Sequence, residues 1–184
     1  MTDTMPAVAI PPRPRYHDQI VREKAIERIL PRVKDWADEN DQFGQKDLKN
    51  VLLQCMDMNG YIFARNLEQR HGWEPNASLV DTLSELDLFR SHADVVAAWV
   101  TYHGVKTPFS IGDRVSAPKV AIAAGTIKDL IRSKAEVCIL PDDFEDRPVS
   151  LKAGSVLIGV NVAIEDVTLL DEPAPENGPE GGEA

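Results

Sequence analysis

Cysteine is scarce. Cys55 and Cys138 are the two present, each in an apolar stretch and far apart in the chain. A disulfide framework needs cysteines paired in number and spacing, so the chain reads as a reduced, cytoplasmic protein. Long apolar runs are missing as well. None reaches the ~20 residues that a bilayer-spanning helix requires, and no membrane is expected as a partner. The first residues, Met1-Thr2-Asp3-Thr4, carry no positive charge, and Pro6, Pro11, Pro12 and Pro14 interrupt the segment after Thr4. A secretory leader is therefore not expected. Positive charge is never in excess. The net charge is −10, and residues 171–184 hold five acidic side chains and no basic one. Binding to a phosphate backbone asks for clustered Lys and Arg, which makes nucleic acid an unfavoured partner.

Catalytic signatures are missing too. There is no Gly-x-Ser-x-Gly elbow, no P-loop and no dinucleotide fingerprint. Gly154-Ser155 comes after a turn without a base nearby in sequence. Asp142, Asp143, Glu145 and Asp146 gather four carboxylates, but without the twelve-residue register of an EF-hand, so they read as a solvated acidic loop. His71, His92 and His103 do not have the spacing of a helical ligand pair or a zinc finger. His71-Gly72 and His103-Gly104 instead read as helix ends, each with a left-handed glycine and a cation at the negative end of the dipole. No catalytic, cofactor-binding or metal-ligating residue is assigned.

The residues that are present change character at Thr107-Pro108, from apolar positions at helical spacing to short β-branched runs broken by Gly, Pro and Asp. The sequence divides into a disordered Pro-rich leader (1–15), a helical domain (16–107), a β domain (108–170) and a disordered acidic tail (171–184). Ile20, Val21, Ala25, Ile26, Ile29, Leu30, Val33 and Trp36 trace one helical face, with a kink or break expected just before Pro31. A second helix is expected over 45–58, with Cys55 on its apolar face. A third is expected over 60–71, capped by Asn59. A fourth begins after Pro75-Asn76, and a fifth starts at a capping box around Ser91–Asp94.

In the β domain, strands are expected at Arg114-Val115, from Ala124 to Ile131, over Lys134–Leu140, over Val156–Val160 and over Val167–Leu170. A one-turn helix at Ala163–Asp166 precedes the last of these. Gly159 marks a bend or bulge. The order Gly112-Asp113-Arg114-Val115, Gly125-Thr126-Ile127, Ala135-Glu136-Val137 and Glu165-Asp166-Val167 resembles an SH3-like β-barrel of the KOW/Tudor sort. That resemblance implies a closed barrel of about five strands, and the fold class is α+β. A helical region leading through Phe109-Ser110-Ile111-Gly112-Asp113-Arg114-Val115 into such a barrel is also similar to the β subunit of nitrile hydratases. In that family the metal-binding cysteines lie on the partner subunit.

The expected function is a non-enzymatic protein–protein interaction or assembly module. Its partner would be another protein subunit or a second copy of the chain. Interaction candidates are Trp73, Tyr61, Tyr102, Arg114 and Phe144, mostly because aromatics and arginine are common interface anchors. One alternative is an accessory subunit of a nitrile hydratase-like enzyme. The other is a nucleic-acid-associated regulator using Arg13, Arg15, Arg22, Lys24, Arg28, Arg32 and Lys34. Residues 1–40 carry seven acidic and seven basic side chains, a balance that makes a salt-bridged solvated helix the default reading.

Overall fold

The apolar face that begins at Val21 becomes a single helix, α1 (Gln19–Glu39), which buries Val21, Ala25, Ile26, Ile29, Val33, Trp36 and Ala37. The computed structural model describes residues 10–40, 47–143 and 159–171. Residues 1–9 of the expected leader, Gly154-Ser155, Glu145 and Asp146 of the acidic loop, and residues 172–184 of the expected tail lie outside the described residues. The break expected before Pro31 does not occur: α1 runs through it. Pro31 is exposed, so the carbonyl that loses its amide donor faces water, which can satisfy it.

Three helices come next at short intervals. They are α2 (Leu48–Cys55), α3 (Gly60–His71) and α4 (Ala77–Ser84). Each has an Asx cap. Asp47 accepts from the Asn50 amide, Asn59 from Tyr61 and Ile62, and Asn76 from Leu79. Helix α3 stops at Gly72, which is left-handed at φ 68° and donates its N–H to the Glu68 carbonyl. Helix α5 (Leu88–His103) starts three residues before the expected capping box. Asp87 is the residue that caps it, accepting from the Arg90 amide at 2.8 Å, while Ser91 is buried within the helix and bonds back to the Asp87 carbonyl.

The chain divides into two compact units, Met1–Trp99 and Val100–Ala184. The first has a core of Ile26, Val33, Trp36, Leu52, Phe63, Leu67, Trp73, Leu79 and Leu83 with their neighbours. Trp36 and Trp73 stack at 5.7 Å inside it, and the Trp36 indole N–H donates to Asn76 Oδ1, the same oxygen that caps α4.

The second unit is an antiparallel sheet of β1 (Arg114–Ala117), β2 (Ile122–Ile131), β3 (Glu136–Pro141), β4 (Val160–Ala163) and β5 (Thr168–Leu169), in the order β4-β3-β2-β1-β5. Alternation puts Val115, Ala117, Ile122, Ile127, Val137, Ile139 and Val162 into one core. A single 3-10 turn at Ile164–Asp166 turns the chain from β4 toward β5, which pairs with β1 through Val115↔Leu169 and Ser116↔Thr168.

The expected closed barrel is not formed. β4 and β5 lie at opposite ends of the strand order, and no pairing joins them among the described residues. Closure needs strands long and staggered enough to meet around the ring, and β5 spans two residues. β4 is Val160–Ala163, and residues 156–158 of the strand expected over Val156–Val160 lie outside the described residues. Irregular register falls between Val115 and Ala117 and between Ile127 and Asp129. Gly159 is needed because a Cβ there would sit 2.5 Å from the Ile139 carbonyl oxygen.

Candidate interaction surface

The first unit exposes aromatic side chains where α5 meets the segment that leads into α1. Phe89 is 66% exposed and Tyr16 48%. Their rings meet edge to face at 5.3 Å, and Tyr16 also stacks on His92 at 3.9 Å. The imidazole is fixed in turn. Its Nε2–H donates to the Pro14 carbonyl at 3.0 Å. The segment is anchored once more at Arg15, whose amide donates to the Asp18 carboxylate at 2.8 Å. Two aromatic rings are thus held on the surface at low entropic cost, the property that makes such residues useful anchors. The Ser91–Asp94 pattern predicts His92 at a helix N-terminus. With α5 starting at Leu88 it lies inside the helix, which is what brings it under Tyr16.

The five residues singled out from the sequence are not brought together. Trp73 is 2% exposed and belongs to the helical core, where burial is what its large apolar surface gains from folding, so it is no surface anchor. Tyr61, 60% exposed, sits in the first turn of α3 beside exposed Ile62 and close in sequence to exposed Met58. It also borders a small groove with Ala64, Arg65, Glu68, Pro75 and Val80. Tyr102, 85% exposed, sits near the end of α5, against His103 at 4.8 Å. Phe144 lies outside the described residues.

Arg114 is buried at the start of β1, and its guanidinium takes a two-pronged grip on Asp142 at 2.6 and 2.5 Å, with a further bond to the Thr126 hydroxyl at 3.3 Å. This pairing holds the Asp142 carboxyl below the ordinary carboxylate range, chiefly through the hydrogen bond from Arg114. Arg114 therefore fastens the sheet from within and is not on offer to a partner. Sequence reading misses the Tyr16–Phe89–His92 cluster. Its one signal is the unassigned run Leu88-Phe89-Arg90 ahead of Ser91, where Phe89 has no place on a buried helical face.

Four of the five basic residues of α1, all but Lys34, make contacts within the chain. Arg22 donates to the Leu53 carbonyl at 2.7 Å, Arg28 pairs with Asp94, and Arg32 pairs with Glu85. Lys24 lies 4.0 Å from Glu27. Cys55 is buried, and burial pushes its thiol above the ordinary range. Cys138, half-buried, is pushed the same way by burial and then by Asp129. A raised thiol stays protonated and is a poor nucleophile. Among the described residues no three His, Cys, Asp or Glu side chains gather as a metal site, and no helix is long and apolar enough to cross a membrane. No protein-family model, no curated protein and no solved structure matches the chain.

Proposed function

We propose that the chain is a non-enzymatic protein-interaction or assembly module, made of a helical unit and a sheet unit of the SH3-like kind. The observation that carries this reading is the fixed, exposed pair Tyr16 and Phe89, propped on His92. Exposed aromatics that are held in place by the fold have no role in the core, and they bury well against another protein. The strand order β4-β3-β2-β1-β5, with a one-turn helix before β5, supports the SH3-like reading of the sheet unit. The occupant is another protein subunit or a second copy of the chain.

The test uses Phe89→Arg, which leaves the core untouched. Wild-type and variant chains are compared as bait in cells and by sedimentation velocity when purified. The expected result is a stoichiometric partner, or a dimer, present with the wild type and lost with Phe89→Arg. Identical recovered proteins and identical sedimentation for both chains would overturn the reading.

A further inference from the structure

The sheet unit contains a half-open cavity of about 620 Å³, a size within the range of small-ligand pockets, roughly 300–1,000 Å³. It lies where the segment after α5 passes the far end of β2 and the start of β3. Phe109, Ile111 and Leu130 supply apolar wall, and Lys106 and Arg132 supply two cations. Among the described residues Glu136 is the one carboxylate in the lining. Neither Lys106 nor Arg132 has an ion-pair partner among the described residues. Both side chains are exposed, and two cations beside an apolar wall offer a local positive potential to a ligand.

We infer that this cavity binds a small amphipathic anion, with an aliphatic or aromatic body against Phe109, Ile111 and Leu130 and a carboxylate, sulfonate or phosphate head at Lys106 and Arg132. The apolar wall supplies contact area, and the two cations fix the orientation and select the sign of charge. This inference is independent of the interaction reading, because it uses none of the residues of the Tyr16–Phe89 cluster.

Equilibrium titration of the full-length chain with 8-anilinonaphthalene-1-sulfonate, read by fluorescence, tests it, with decanoate as competitor and decanol as its uncharged counterpart. Saturable binding is expected that decanoate displaces and decanol displaces far more weakly, and that weakens as salt rises. The double variant Lys106→Ala/Arg132→Ala changes exposed side chains only and should lower the affinity by about tenfold or more. Ile111→Glu, at a residue 63% exposed in the cavity wall, should lower it as well. Circular dichroism of both variants checks that the sheet is kept. Absence of saturable binding overturns the inference. So does equal affinity of the wild type and the double variant, or equal displacement by decanoate and decanol.

Discussion

The helical unit and the sheet unit solve the same problem with different materials. The helical core uses large rings, Trp36, Phe63 and Trp73, locked by a shared asparagine and by side-chain caps at the starts of α2, α3 and α4. Among the described residues the fully buried part of the sheet core is Val, Ile and Ala, with Phe109 and Leu130 packed against it, and a buried arginine gripping Asp142 reinforces it. All three tryptophans, at 36, 73 and 99, fall in the first unit. Tryptophan fluorescence therefore reports on the helices, while far-UV circular dichroism reports on both. One chain thus places its bulk and its ring stacking in one unit and its β-branched alternation in the other. Each unit then has a core of its own.

The largest expected effect breaks the helical side. Phe63 is fully buried, and Phe63→Ala should cost about 3–5 kcal/mol, moving the tryptophan transition in a denaturant titration. On the sheet side, Ile127 is likewise fully buried, and Ile127→Ala should cost about 2–5 kcal/mol. This loss should appear in the circular dichroism transition and leave the tryptophan transition in place. A joint shift of both signals would end the idea of two separate cores.

Gly159→Ala comes next. Its new methyl would meet the Ile139 carbonyl and the Cys138 sulfur, so β4 must move away from β3 at a cost of about 1–3 kcal/mol. Asp142→Asn sharpens the electrostatic half of the contrast. Because Arg114 holds the Asp142 carboxyl below its ordinary range, its stabilisation is complete above that range and is lost as pH falls through the lowered value. The wild-type sheet should therefore weaken on acidification by more than the Asp142→Asn variant does, a difference that parallel denaturant titrations at several pH values would resolve. Smallest of all is Arg32→Ala. Both Arg32 and Glu85 are more than half exposed, so the helical unit should lose at most about 1 kcal/mol.

Much of this architecture is legible in the residues, and the failures have physical causes. The expected range of α3 agrees with the structure at both ends because its stop signals are local: Asn59 satisfies free amides, and Gly72 takes a conformation that other residues avoid. The start of α5 is misread because Ser91-His92-Ala93-Asp94 imitates a cap, while Asp87 supplies the real one. Pro31 signals a kink or a break by its local chemistry, and of the two the break does not occur, since the buried face continues past it from Ile29 to Val33. Trp73 reads as an interface residue because a tryptophan after a helix-ending glycine carries no label of inside or outside; only the stacking with Trp36 decides it. The closed barrel fails for a related reason, since local strand signals do not encode whether two distant edges meet. The aromatic cluster on α5 and the cavity beside β2 are invisible for the same cause: each joins residues from separate segments, and no spacing rule connects them.

The narrow hem at Thr168-Leu169 has a consequence for handling the molecule. Two ladder pairs, together with the bond from the Leu170 amide to the Arg114 carbonyl, are what screen the outer flank of β1. A shortened chain cut just ahead of Thr168 would bare a row of unmet donors and acceptors on that flank. Material made that way should clump edge to edge, even with every core side chain still in place.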